Sequence, residues 1–418
     1  MVSYLVNGVY KLLDLSDTAC SPSDAEAERS MADSKTSCAS LRSGMQHDLA
    51  TMSTVDTLPT MPTVDSLPEL DCSEQNSMED WSVTLEERVK MSQDASPVQP
   101  WVPERFEMVR MLQEAPRNKG AVELMRDIER GGCFVAVKRM PRHWTCSGPA
   151  DFKQQHASAM ENPWVDAGVT AFLHSIGYAY VCDPVGVFRD SSYTYMVGTY
   201  ATKGDMFSWL QDGNKPGPDR EAMVRPMVEQ VFEAVRCLHD LGIAHRDISL
   251  ENILLTHDEG QESGTMQVKL VDFGAASLTR MCSGMVGKPS YAAPEVFESG
   301  EYDGFQSDAF SVGVVLFSLA ACGYPWMSTR PGNCKMFTYV SKNGLRSYLG
   351  ARRIKSNNGK TLADSFSESL VTLLEGLLSI NPADRFTLGN ESNYSSVHDV
   401  ITGSTASVWD SEWLKDSA

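Results

Sequence analysis

An α+β protein of two unequal lobes, a small antiparallel β-rich one and a larger, mainly helical one, is what this sequence predicts, on three observations. Short runs of β-type residues cluster within 101–201, long amphipathic stretches dominate 202–400, and residues 1–100 show neither period. In chain order, residues 1–100 are rich in Ser, Thr, Asp, Met and Pro and carry 17 acidic against 6 basic side chains, a composition that is expected to stay disordered. Within them Thr54-Val55-Asp56-Thr57-Leu58-Pro59 returns as Thr63-Val64-Asp65-Ser66-Leu67-Pro68. The repeat is too short for a solenoid unit; it reads either as a docking motif or phosphosite for a partner, or as duplicated low-complexity sequence without a role.

From Trp101 the composition changes. Strands are expected at 106–112, 121–125, 134–138, 185–188 and 193–197, enough for a small antiparallel sheet and a connection that closes the first lobe at 201. After Gly204 helices are expected at 221–240, 307–321 and 366–379, with brief strands near 252–255 and 267–271. The Asn381-Pro382 step ends the third helix, because the residue before proline avoids the α region. Residues 401–418 are left as a C-terminal tail.

Composition narrows the function classes. With 42% apolar and 22% charged residues the chain can bury a substantial core. A net charge of −19 argues against nonspecific nucleic-acid binding and against docking on an anionic membrane, and it favours basic partners. No run of about 18 apolar residues stands out as a membrane span. The ten cysteines form no CxxC pair and no compact cluster, so a reducing, cytoplasmic setting is expected. The first 15 residues are apolar but lack a basic start, a poor fit to a secretory signal.

The chemistry lies in three segments whose order and spacing matter more than any one of them. Ala244-His245-Arg246-Asp247-Ile248-Ser249-Leu250-Glu251-Asn252 follows a helix and leads into a strand. Phosphoryl transfer needs an acceptor to orient and deprotonate the incoming hydroxyl, a role for Asp247, while Asn252 offers an oxygen to a metal. Twenty residues on comes Asp272-Phe273-Gly274, whose carboxylate suits Mg²⁺ at the β- and γ-phosphates. Ala293-Pro294-Glu295 follows 21 residues after Asp272.

With these motifs, residues 101–400 resemble the eukaryotic protein-kinase superfamily, which implies the bilobal kinase fold, ATP with Mg²⁺, and protein substrates. The resemblance makes Lys138, closing Phe134-Val135-Ala136-Val137-Lys138, the contact to the α- and β-phosphates. It assigns Asn252 and Asp272 to the metal and Gly120, Val122 and Ala136 to the roof of the nucleotide site. Gly198 falls at the gatekeeper, Thr199 to Ala201 at the adenine hinge, and Asp205 and Leu254 beyond it. Asp308 looks like the brace of the catalytic loop and Arg385 like the partner of Glu295. Arg246 before Asp247 implies a regulatory phosphate in the activation segment, with Ser283 preferred over Ser277 and Thr279.

Several positions depart from the family pattern. Only Gly120 of three expected glycines is present near 115–122, so either nucleotide binding is weakened or Arg117 and Lys119 supply charge in place of bare backbone amides. The acidic partner of Lys138 is expected to be Asp166, on a helix starting near 162, with Glu161 as the alternative. Ser249 and Lys288 stand where many Ser/Thr kinases carry Lys and Thr, so one cation is kept but moved, and Lys288 is expected to stabilise charge on the transferred phosphoryl.

The degenerate loop, the displaced lysine and Glu161-Asn162-Pro163-Trp164-Val165-Asp166-Ala167 together resemble the FIKK-type kinases of apicomplexans, although Val135-Ala136-Val137-Lys138 differs from that family's tetrapeptide and His245-Arg246-Asp247 is more orthodox than its usual version; an orphan protist Ser/Thr kinase is the alternative. Ser249 and the absence of an Ala-Ala-Arg pattern favour Ser/Thr over Tyr transfer, and Glu251 resembles the acid that reads basic sites. A rival reading, a scaffold of the same fold without turnover, draws on the lost glycines; Lys138, Asp247, Asn252 and Asp272 all remain.

Overall fold

The structure is a computed structural model that describes residues 83–115, 119–211, 215–257, 266–354, 359–389 and 406–415. The repeat at 54–68 and Arg117 lie outside the described residues. The first described element is a helix within the stretch expected to be disordered: α1 (Leu85–Asp94) opens on a capping box in which Thr84 Oγ1 accepts from Glu87 N–H and Glu87 returns the bond to Thr84 N–H. Strand β1 (Gln99–Pro100) follows, so order begins well before residue 101.

The small lobe continues with β2 (Phe106–Ala115), β3 (Gly120–Asp127) and β4 (Cys133–Pro141), the short helices α2 (Arg142–Thr145) and α3 (Pro149–Gln155), α4 (Pro163–Ser175), and then β5 (Pro184–Arg189) and β6 (Tyr193–Thr199). Its single sheet runs β1-β5-β6-β4-β3-β2, antiparallel except that β1 joins β5 in parallel. Strand alternation sorts the side chains by face. Val135, Val137, Val197 and Tyr195 point into a compact core with Phe106 and Phe188, closed by Trp101, which stacks on Phe106 and Tyr195 with ring centroids 4.6 and 3.8 Å apart. The opposite face, with Ala136 and Lys138, stays half-buried and roofs the interlobe cleft.

The large lobe is built from α5 (Met206–Gln211), α6 (Pro218–Asp240), the hairpin β7 (Ile253–Thr256) and β8 (Gln267–Leu270), the pair β9 (Met281–Ser283) and β10 (Glu301–Asp303), α7 (Gly304–Ala321), α8 (Lys335–Asn343), α9 (Leu345–Ala351), α10 (Glu368–Leu377) and α11 (Glu412–Lys415). Helix α7 is long and apolar enough to cross a membrane by length and composition, yet here it is the buried axis of the lobe. A methyl group at Gly313 would come 2.8 Å from Leu377 Cβ, so glycine is what lets α7 and α10 approach. The C-terminal stretch is no loose tail in its described part: Trp413 is fully buried and its Nε1–H donates to Glu221 at 3.1 Å.

Candidate active site

After α6 the chain reverses at Gly242 and enters the catalytic loop in a strained conformation. Arg246 has φ +66°, a region that a side chain with a Cβ rarely adopts. A buried carboxylate from the first turns of α7 holds it there: Asp308 accepts from the backbone N–H groups of His245 (2.7 Å) and Arg246 (2.8 Å). The expected brace is therefore in place.

Asp247 sits at the centre of the resulting cluster. Its Oδ2 accepts from Asn252 Nδ2 at 2.9 Å and lies 3.2 Å from Lys288 Nζ, and its Oδ1 accepts from Lys288 N–H at 3.1 Å. Lys288 Nζ also donates to Ser249 Oγ at 2.8 Å. The two loops come this close because Gly287 precedes Lys288: it has φ +84°, and a Cβ there would stand 2.7 Å from the Arg246 carbonyl. Lys288, Ser249 and Asp247 thus share one corner of the cleft.

Lys138 faces them from the roof. Its Nζ lies 2.7 Å from Asp166 Oδ2 and 2.7 Å from Asp272 Oδ1. Burial alone would pull the ammonium below its ordinary pKa, but the two carboxylates outweigh it and hold the group above that value. Lys138 in turn holds the Asp272 carboxyl below the usual aspartate range, outweighing the partial desolvation of that half-exposed side chain. Asp166 lies on the first turn of α4, where Asn162 caps the helix by accepting from Trp164 N–H and Pro163 starts it. Its second oxygen accepts from Phe273 N–H at 2.9 Å, and Asn162 N–H donates to the Gly274 carbonyl at 2.8 Å. Two hydrogen bonds therefore tie the start of α4 to the Asp272-Phe273-Gly274 turn. The sequence reading missed Asn162 in this role, because a bond between backbones leaves no residue signature.

The register places the remaining cleft residues. Val122, Lys138 and Met196 lie abreast on β3, β4 and β6, and the next row on the same face is Leu124, Ala136 and Gly198. Thr199, at the end of β6, exchanges two hydrogen bonds with the Asp183 backbone, and Ala201 is buried behind it. Asp205 pairs by a backbone bridge with Leu254 and caps α5 through Ser208 N–H at 2.6 Å. Gly120 opens β3 opposite Ala115, and Lys119 before it has φ +56°.

The site suits a nucleotide with Mg²⁺ by its donor types. Asp272 has φ +67° and its side chain remains 40% exposed, and no described donor is bonded to Asn252 Oδ1, its amide being spent on Asp247. Hard oxygen donors in this small number are what Mg²⁺ accepts from a protein when phosphates supply the rest.

The activation segment holds one arrangement the sequence did not disclose. Arg246 donates to the carbonyl of Ser283 (2.7 Å) and to Tyr302 Oη (2.9 Å), a partner brought in by the β9–β10 pairing. The segment is anchored at its far end by Arg385, wholly buried and bidentate on Glu295 at 2.6 and 3.0 Å.

Residues 153–395 match the family model of the protein kinase domain. Among curated relatives, a probable serine/threonine-protein kinase 2 of Plasmodium falciparum is 30% identical over 217 residues, covering 51% of this chain and 38% of the relative. The serine/threonine-protein kinase kin-29 of Caenorhabditis elegans is 28% identical over 295 residues, 68% of this chain and 32% of its own. The serine/threonine-protein kinase SIK1 of Rattus norvegicus is 28% identical over 285 residues, with shares of 66% and 32%. This chain thus spans only 32–38% of the length of these three relatives.

Proposed function

The chain belongs to the protein kinase family, and from that premise we propose that it is an active serine/threonine kinase moving the γ-phosphoryl group of ATP onto protein hydroxyls. The observation that supports this best is the convergence of Asp247, Asn252 and Lys288 below the doubly ion-paired Lys138. In this reading Asp247 orients the substrate hydroxyl and takes its proton as the new O–P bond forms and the bond from γ-phosphorus to the bridging oxygen breaks, releasing ADP. Lys138 positions the α- and β-phosphates, and Lys288 presents a positive charge where the transferred group gains negative charge. Bound Mg²⁺, held by Asn252 and Asp272, would neutralise the β- and γ-phosphate oxygens.

Basic substrates fit the net charge of −19 and Glu251, whose Oε2 accepts from Tyr291 Oη at 3.3 Å beside the catalytic loop. The FIKK-type subfamily remains a reading of the sequence motifs. The test is transfer of labelled γ-phosphate from Mg·ATP to basic Ser and Tyr peptides, with Asp247→Asn as control. Transfer to Ser, lost in the variant, supports the proposal; absence of transfer by both proteins favours the scaffold reading.

A further inference from the structure

The acid that pairs with Lys138 is an aspartate, one methylene shorter than glutamate, which removes about 1.5 Å of reach. Helix α4 must therefore sit close to the cleft, since one Asp166 carboxylate has to meet both Lys138 Nζ at 2.7 Å and Phe273 N–H at 2.9 Å. Something has to hold α4 there. One face of it is covered by α1: Val89, 7% exposed, belongs to the same buried cluster as Val169, Phe172 and Leu173, and lies over Gly168, where a Cβ would stand 3.1 Å from Val89 Cγ1. Gln93 Nε2 donates to the Trp164 carbonyl at 3.3 Å, two residues before Asp166. At its other end α1 touches the large lobe, with Leu85 Cδ2 3.4 Å from a Cβ built at Gly242, two residues before the catalytic-loop segment begins at Ala244. Downstream, β1 adds to β5 and the Trp101 N–H donates to the Arg189 carbonyl at 2.9 Å, so both ends of the segment are fixed.

We propose that residues 84–101 are a built-in brace for α4, and that Val89 and Gln93 are positioning residues which act on phosphoryl transfer through Asp166 and Lys138. The inference rests on the reading of Lys138 and Asp166 as the nucleotide-phosphate clamp. The brace is supplied within the chain, by a segment outside the matched residues 153–395. Gly168 supports the pairing: its missing side chain is the space Val89 occupies.

Two full-length variants test it, each made in the wild type and in an Asp166→Ala background. Gly168→Leu fills the space under Val89 without weakening α4, since leucine is the better helix former. Val89→Asp puts a charge into the same contact from α1, and at worst releases α1. Both are read by kcat/KM for ATP and by the Kd of a fluorescent ATP analogue with Mg²⁺. A displacement of about 1 Å remote from the chemistry costs on the order of 10²-fold, so kcat/KM should fall by about that factor and nucleotide binding should weaken. In the Asp166→Ala background neither substitution should have a further effect, because the brace then has nothing to position. Wild-type values in both variants, or equal losses in both backgrounds, overturn the proposal; the second result would make α1 a structural prop only. Should the wild type transfer no phosphate, the kinase reading fails while the nucleotide-affinity cycle still decides this one.

Discussion

Replacing Lys288 by methionine keeps the unbranched stem of the side chain and removes its terminal charge. Its Nζ stands 3.2 Å from Asp247 Oδ2 and 2.8 Å from Ser249 Oγ, at the spot where the hydroxyl and the transferred phosphoryl must meet if Asp247 is the acceptor. Two unit charges at that separation attract by about 5 kcal/mol at an effective dielectric constant near 20. The Lys288 side chain is 31% exposed, so solvent screening lowers that ceiling. Losing one preorganised charge or donor from a transition state costs roughly 10²–10³ in kcat, or about 2.7–4 kcal/mol, which fits beneath the ceiling. The assay is single-turnover transfer from Mg·ATP to a Ser peptide, so that product release does not mask the chemical step. Lys288→Met should lose about 10²-fold or more with little change in nucleotide affinity. Lys288→Thr combined with Ser249→Lys, which restores the commoner arrangement of the pair, should recover much of the rate. A Lys288→Met rate within about threefold of wild type would refute the role of the charge and leave Lys288 a holder of the loop.

Three further outcomes follow from the geometry. Asp272 is held below its ordinary pKa by Lys138, so its ionised form contributes to stability and metal binding above about pH 3.8 and loses that contribution only as pH falls through the lower folded value. The terminal phosphate of ADP itself gains a proton between pH 8 and 5, so wild-type Mg²⁺-dependent ADP affinity is the reference that carries the nucleotide's own share of the change. In Lys138→Met the carboxyl loses the largest of the contributions that lower it, with Lys288 and His245 still in place, and affinity should decline toward pH 5 more steeply than in the wild type; parallel titrations of the two proteins would count against the coupling. At Gly198 an added Cβ meets, among described residues, only the Asp183 carbonyl at 3.4 Å, an ordinary contact. Gly198→Met should therefore fold, keep its KM for ATP, and lose at least about tenfold in affinity for ATP-competitive inhibitors with large substituents; unchanged inhibition would exclude an open back pocket. Arg385→Met strands the Glu295 carboxylate and should cost about 3–5 kcal/mol, seen as a drop in Tm of order 5–10 °C that Glu295→Gln partly reverses. No change in Tm would mean that the pair contributes nothing to the fold.

The elements that sequence alone determined are those in which local pattern and chemistry coincide. Five of the six small-lobe strands were legible from β-type runs, and α6, α7 and α10 from helical period, because burial of one face selects the residue types directly. Asp247, Asn252 and Asp272 stood out because the proposed phosphoryl transfer restricts which side chains work and the loop fixes their spacing. The choice of Asp166 over Glu161 followed from Pro163, which sets where α4 begins. Helix α1 was readable in principle, from Thr84 and Glu87 around an apolar Leu85 and Val89, but three polar turns in an acidic stretch give too weak a period to stand out.

Tertiary structure alone decided what depends on distant backbone. The hold of Asn162 on Gly274, the approach of Gly287 to Arg246 and the arrival of Tyr302 at Arg246 each join segments far apart in sequence through main-chain atoms or a common hydroxyl. Such contacts constrain geometry without constraining residue type. The same holds for the brace: Gly168 and Val89 are unremarkable residues in the sequence, and only their meeting across two helices shows that the segment ahead of the kinase fold bears on the position of Asp166.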